Sequence, residues 1–143
     1  EGGVRIPFIV RWPGKIPPGR VNHSSILSGL DFLPTLCHLT GTSYDKNKFE
    51  GLNVSDVWFG EKRNYQRFLF WAKQSPVGLS NNWKYHVNKQ TGDELYDLAK
   101  DPNETNNLIT KNPEKAASMR SSVMTWYGGL PVLATKARGS TKK

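Results

Sequence analysis

Four short strand-like segments, separated by turn residues, constrain this fold more than any other feature of the sequence. The segments are residues 68–72, 77–80, 83–87 and 94–98. Asn81 and Asn82 separate the second from the third, and Thr91-Gly92-Asp93 separates the third from the fourth. Because such turn residues join antiparallel neighbours, the pattern predicts a small antiparallel sheet of about four strands.

A helix is predicted after the last strand. Asn112 suits the N-cap, Pro113 the first helical position and Glu114 the first turn. A glycine pair predicts its end. The apolar face of this helix consists of Ala116, Met119, Val123 and Trp126. The expected fold class is therefore α+β, with a C-terminal helix beside the sheet.

The first part of the chain predicts other elements. Alternating apolar residues indicate a strand over residues 4–11, and a short strand is expected at residues 25–27. Asp31 is expected to cap a helix that ends at Gly41, with Cys37 buried on it as a small apolar residue. We expect three parts: residues 1–60 with the first strand, a loop, this helix and a crossover; residues 61–130 with the antiparallel sheet and terminal helix; and residues 131–143 as a basic, disordered tail.

The composition limits the function classes. The 143 residues carry a net charge of +8, and only 36% are hydrophobic. A low apolar content predicts that some surface lies against a partner segment. The charge favours an anionic partner, whether sulfated glycan, nucleic acid or anionic lipid, or simply reflects solvated basic faces. No apolar run is long enough to span a bilayer, so no membrane partner is expected.

Three motifs resemble type I sulfatases of the alkaline-phosphatase-like superfamily. They are E-G-G-V-R-I-P-F-I-V-R-W-P-G at residues 1–14, D-F-L-P-T at residues 31–35, and N-N-W-K-Y-H-V followed by E-L-Y-D-L-A-K-D-P-N-E-T-N-N-L within residues 81–108. The resemblance implies the C-terminal piece of an alkaline-phosphatase-like α/β sulfatase. Residues 1–60 would end its large domain, and the remainder would form its small C-terminal subdomain.

The same resemblance implies where the chemistry lies. The parent enzyme would hydrolyse sulfate esters with a formylglycine nucleophile and a calcium ion, both held by residues upstream of this chain. Cys37 does not match the Cys/Ser-x-Pro/Ala-x-Arg nucleophile motif, and His23, His38 and His86 are too far apart for a typical metal site. We therefore expect this chain to hold no catalytic or metal-binding residue, to bind neither cofactor and to be inactive alone.

The implied partners follow from this. The first is the N-terminal catalytic part of the same sulfatase, and the second is a sulfated small molecule or glycan. An apolar strand at residues 4–10 without sheet neighbours would also favour a homo-oligomer of the isolated chain. The compartment is not encoded, although export to the periplasm or medium is plausible from the resemblance.

Substrate contact is predicted at strand ends and turns, where binding residues concentrate. The candidate substrate-binding residues are Trp71, Lys73, Asn81 and Asn82. A Trp face stacks on a sugar ring, and Lys or Asn binds hydroxyl and sulfate oxygens. The alternative is that the Trp side chain is structural. For Trp71 the contact role and the structural role are equally favoured, whereas for Trp83 the structural role is favoured.

Two other functions remain open from the sequence. The same basic and Trp residues could form a non-catalytic module that binds anionic glycans. The interleaved Trp83-Lys84-Tyr85 is typical of single-stranded nucleic-acid binding, but no known signature accompanies it, so no nucleic-acid partner is expected.

The turn around residues 97–108 has oxygen-bearing side chains but lacks calcium-loop spacing. We interpret it as structural, with Asp97 and Asp101 accepting backbone N–H bonds and Leu98 and Leu108 packing on the sheet.

Overall fold

The computed structural model describes residues 6–72 and 75–131, so the tail prediction for residues 132–143 lies outside the described residues. Before the sheet the chain forms helices α1, Phe32–Thr40, and α2, Ser55–Phe59, together with 3₁₀ turns at Gly29–Asp31 and Lys46–Lys48. The sheet consists of β1, Phe68–Ala72; β2, Pro76–Ser80; β3, Trp83–His86; and β4, Glu94–Asp97. Helix α3, Pro113–Gly128, follows it.

The four strands are antiparallel in the order β1-β2-β3-β4, which confirms the predicted sheet. The register aligns Phe70 with Gly78, Gly78 with Tyr85, and Tyr85 with Leu95. Since side chains alternate between faces, this row shares one face of the sheet. The opposite face carries the row Trp71, Val77, His86 and Glu94.

The core lies between α3 and the first of these faces. It contains the buried residues Tyr85, Val87, Leu95, Ala116, Met119 and Val123. Phe70 stacks on Trp126 with ring centroids 5.0 Å apart, which confirms the predicted apolar face of the helix. Gly78 lets the helix approach closely, because a Cβ at this position would overlap the Val123 side chain.

Helices α1 and α2 pack together over a small buried cluster. Cys37, Val54 and Val57 are buried there, so the prediction for Cys37 is confirmed. Thr35 is also buried, and its Oγ1 accepts a hydrogen bond from the Val54 N–H at 3.0 Å. Gly41 ends α1 in the left-handed conformation, as the sequence predicts.

Two strand predictions are wrong in the described residues. Residues 6–11 and residues 25–27 are irregular, and Ile6 and Ile9 are exposed. A strand is stabilised by ladder hydrogen bonds to a neighbour, and none of the described strands pairs with either segment. Alternation alone therefore does not produce a strand here.

The cap prediction for Asp31 is correct only in position. Asp31 precedes α1 as its N-cap residue, but its side chain makes no capping bond to this helix. Instead the carboxylate accepts the Ser28 N–H at 2.8 Å and closes the preceding 3₁₀ turn as a capping box. The Asp31 carboxylate also accepts hydrogen bonds from residues that are distant in the sequence.

Candidate functional site

The predicted substrate-contact residues lie at opposite ends of the sheet. Trp71, near the end of β1, is half-buried on the face opposite α3 and is aligned with Val77. Asn81 and Asn82 form the β2–β3 turn beyond the other end of β2. Asn81 lies four residues after Val77, which corresponds to roughly 13 Å at about 3.3 Å per residue of strand. Lys73 lies outside the described residues.

The turn itself is firmly held on one side. Asn81 adopts the left-handed conformation with φ 51°, which Asn tolerates better than most residues. Its side-chain Nδ2 donates to Gln66 Oε1 at 3.3 Å, while Asn82 is exposed. The Leu98 N–H donates to the Asn82 carbonyl at 2.8 Å, which ties the turn to β4. Asn82 is thus the more accessible candidate contact.

Trp83 fits the structural interpretation better than a contact. It is half-buried and packs against the core beneath α3. The Lys115 ammonium lies 5.0 Å from its ring centroid, a cation–π contact. This leaves Trp71 as the sheet tryptophan on the face opposite α3.

An ion pair that the sequence analysis missed joins the helical half, residues 6–60, to the sheet-and-helix half, which is described from residue 61 to residue 131 except for residues 73 and 74. Arg67 Nη1 donates to Asp31 Oδ1 at 2.6 Å, and Nη2 donates to Oδ2 at 2.7 Å. The Asp31 side chain is 2% exposed and the Arg67 side chain 13%. Burial raises the pKa of Asp31, but hydrogen bonds from Arg67, Leu52 and Ser28 outweigh it and hold the pKa below its usual value. The one sequence signal was a charged residue directly before an apolar strand.

A second polar cluster lies beside this pair. Arg63 Nη1 donates to Asp56 Oδ2 at 2.9 Å, and the Tyr65 hydroxyl donates to Asp56 Oδ1. Burial and the hydrogen bond to Asp56 raise the pKa of Tyr65, so this phenol stays protonated. Both clusters lie where the segment before β1 passes the helices.

The carboxylates in the turn after β4 accept backbone N–H groups, as predicted. Asp97 accepts the Ala99 N–H at 3.2 Å, and Asp101 accepts the N–H groups of Thr105 at 3.1 Å and Asn106 at 2.8 Å. Lys84 Nζ donates to both Glu104 oxygens, at 2.7 and 2.8 Å. Among residues 6–72 and 75–131, no three or more His, Cys, Asp or Glu side chains are grouped to hold a metal ion.

The helical half presents an apolar surface, which we call the N-terminal face. Helix α1 contributes exposed Phe32, Leu33 and Leu36. Phe32 packs edge-on against Phe8, with ring centroids 5.3 Å apart. Further exposed apolar residues of this half are Ile6, Ile9, Trp12, Val21, Leu30, Phe49 and Phe59. Clustered exposed apolar side chains typically mark an interaction surface.

Comparison with known proteins identifies a family and several relatives that this chain resembles. Residues 1–124 match the family model described as N-sulphoglucosamine sulphohydrolase, C-terminal. A sulfatase of Formosa agariphila is 30% identical over 151 aligned positions, which cover 88% of this chain and 27% of that protein. Arylsulfatase G of Rattus norvegicus is 40% identical over 79 residues, which cover 54% of this chain and 15% of that protein.

A solved structure from work on the metabolism of multiple glycosaminoglycans by Bacteroides thetaiotaomicron has the same fold. Its TM-score is 0.71 at 21% identity, over 85% of this chain and 29% of that chain. The family match and the shared fold together identify a C-terminal sulfatase region. The chain belongs to the N-sulphoglucosamine sulphohydrolase C-terminal family.

No helix in the described ranges is long and apolar enough to cross a membrane.

Proposed function

We propose that this chain is the C-terminal region of a sulfuric ester hydrolase and serves there as scaffold and cleft wall rather than as the reacting centre. The proposal is supported by the family match, which covers residues 1–124. The chain spans 27% of the length of the Formosa agariphila relative, so the activity of the whole parent protein is itself part of the proposal.

The described residues do not fit the two groups that sulfatase chemistry would require. Cys37 is buried within α1, so its thiol is not accessible to a substrate as a nucleophile must be. The described Asp and Glu side chains form no ligand cluster. We therefore propose that formylglycine and calcium belong to the preceding part of the parent protein, and we derive no step through them.

The N-terminal face is proposed to pack against that preceding part of the same polypeptide. The relatives are far longer than this chain, so a parent protein of similar length would have a segment to cover the face. The exposed apolar side chains also lie in the half that comes first in the sequence. Burying apolar area contributes about 25 cal/mol per Å², so a face of this kind stabilises the intact protein.

Activity tests the proposal directly. We expect the full-length parent to release p-nitrophenol from p-nitrophenyl sulfate, and the isolated chain to release none. Turnover by the isolated chain would show that the reacting groups are here. An inactive parent that binds heparin, with the chain retaining that binding, would favour the anionic-glycan-binding module, the alternative that the net charge of +8 supports.

A matched pair of variants tests the N-terminal face. Leu36 is 48% exposed on α1 and Met124 is 37% exposed on α3. We expect Leu36→Asp to lower both the self-association of the isolated chain, followed by light scattering, and the stability of the full-length protein. Met124→Asp should change neither. Equal effects of both variants would contradict the assignment of the face.

Substrate contact is proposed at two separated places, Trp71 at one end of the sheet and Asn82 at the other, and Lys73 stays a candidate from the sequence. Their separation suits an extended sulfated glycan better than a small aryl sulfate. In the full-length protein we expect Lys73→Ala and Asn82→Ala to raise KM for a sulfated oligosaccharide several-fold. An unchanged KM for both would exclude the contact.

A further inference from the structure

We propose that residues 65–67 form a joint that positions the Asn81–Asn82 turn relative to the helical half, with Arg67 as the positioning residue. The inference rests on the proposed function, in which Asn82 contacts substrate. It is carried by three consecutive side chains that reach partners in both halves of the chain.

The joint alternates its contacts along the chain. Tyr65 donates to Asp56, and Arg67 donates to Asp31 and, at 3.2 Å, to the Ile26 carbonyl. Gln66, between them, accepts from Asn81. The outer two side chains therefore reach the helical half, while the middle one reaches the turn.

The Asp31–Arg67 pair suits a positioning role. Removing two charges from water costs free energy, so a buried ion pair is weak evidence for added stability. Its bidentate geometry instead fixes direction, because the planar guanidinium meets the carboxylate in one orientation. Asp31 is in turn held by the N–H groups of Ser28 and Leu52, at 2.8 and 3.0 Å. The pair therefore transmits the position of the helical half to the start of β1.

A small cavity links Arg67 to the turn. It has a volume of about 10 Å³ and is lined by Ile26, Tyr65, Arg67, Leu69, Leu79 and Asn81. Arg67 Nε and Asn81 Oδ1 are buried, and neither has a hydrogen-bond partner among the described residues. One is a donor and the other an acceptor, and about 10–15 Å³ accommodates one water molecule. We assign this cavity to a single water that accepts from Arg67 and donates to Asn81.

The structural test is a high-resolution crystal structure of the protein. We expect one ordered water within hydrogen-bond distance of both Arg67 Nε and Asn81 Oδ1. A dry cavity, or an Asn81 side chain turned away from it, would overturn the water assignment.

The functional test uses the full-length protein. Arg67→Lys keeps the charge but loses the bidentate fork and Nε, and Arg120→Lys is the matched control. Arg120 pairs with Asp93 at 3.1 Å entirely within the sheet-and-helix half. We expect Arg67→Lys to raise KM for a sulfated oligosaccharide about five- to tenfold, the scale of one lost hydrogen bond. The kcat for p-nitrophenyl sulfate should stay within about twofold.

Hydrogen exchange provides a readout independent of activity. In Arg67→Lys, and in Gln66→Ala, which leaves the ion pair intact, we expect the amides of the β2–β3 turn to exchange faster than in Arg120→Lys. Unchanged exchange in Gln66→Ala would overturn the joint. Faster exchange with no sulfatase activity in any variant or in the parent would leave the joint standing and reject the proposed function instead.

Discussion

The two halves of this chain differ in what they bury. The sheet-and-helix half encloses an apolar core around Tyr85 and Leu95, whereas the helical half buries the polar residues Asp31, Thr35 and Ser55 beside a small apolar cluster and turns much of its apolar surface outward. Buried hydrogen bonds and an ion pair therefore have a larger share in holding the helical half, and apolar packing has a larger share in the other. A segment whose apolar side faces outward completes its core against another part of the protein.

The largest expected effect breaks the link between the halves. Arg67→Met removes one partner of the buried pair and leaves the Asp31 carboxylate without its counter-charge. We expect about 3–5 kcal/mol of destabilisation, because an unpaired buried charge costs that much. Urea unfolding of the isolated chain measures it. Lys48→Met, which removes an exposed pair with Asp45, should cost less than about 1 kcal/mol.

The next comparison truncates a leucine in each half. Leu95 is 0% exposed in the core, whereas Leu36 is 48% exposed on α1. We expect Leu95→Ala to cost about 2–5 kcal/mol, since it leaves a cavity. Leu36→Ala should change the stability of the isolated chain by about 0.5 kcal/mol or less. A similar loss for both, from urea midpoints, would mean that Leu36 is packed in the isolated chain rather than exposed.

A pair of glycines, one in each half, tests how closely α3 approaches the sheet. A Cβ at Gly78 would overlap Val123, whereas at Gly29 it would meet no atom within 4 Å. We expect Gly78→Ala to destabilise the protein by about 1–3 kcal/mol through overpacking. Gly29→Ala should be close to neutral in the same thermal unfolding experiment. A neutral Gly78→Ala would show that α3 shifts freely over the sheet.

Acid should weaken the helical half through Asp31. Its folded pKa lies below the unfolded value of about 3.9, so its contribution is complete above that pH and is lost as pH falls through the folded pKa. We expect the stability difference between wild type and Asp31→Asn to shrink on acidification from pH 5. A constant difference down to pH 2 would contradict this assignment.

The smallest effect concerns the cation–π contact on the sheet-and-helix half. Lys115→Ala removes the ammonium over Trp83 and should cost about 0.5–1 kcal/mol. Urea unfolding followed by circular dichroism measures the loss. Lys111→Ala, on the exposed turn before α3, is the control and should leave the stability unchanged.

Local pattern predicted the sheet-and-helix half well. The strand segments, the Asn81–Asn82 turn and the proline-initiated helix all lie where the sequence places them, because each depends on neighbours close along the chain. The strand expected at residues 4–11 fails in its described part for the opposite reason. An extended segment needs a partner strand, and its own sequence does not supply one.

The candidate site was only partly accessible to sequence reasoning. Turn chemistry correctly placed Asn81 and Asn82 at a turn, but it did not show that Trp71 lies at the other end of the sheet. That separation depends on the β1–β2 register, which pairs Trp71 with Val77. The substrate-contact roles themselves stay predictions.

The sequence by itself determined the secondary structure of the second half, the structural nature of the turn after β4 and the family resemblance. Each arises from residue type and short spacing. The tertiary structure decided that Asp31 pairs with Arg67, 36 residues away, and that apolar residues of α1 face outward. The partner of a buried carboxylate is determined by distance and burial, and both are defined only in the folded chain.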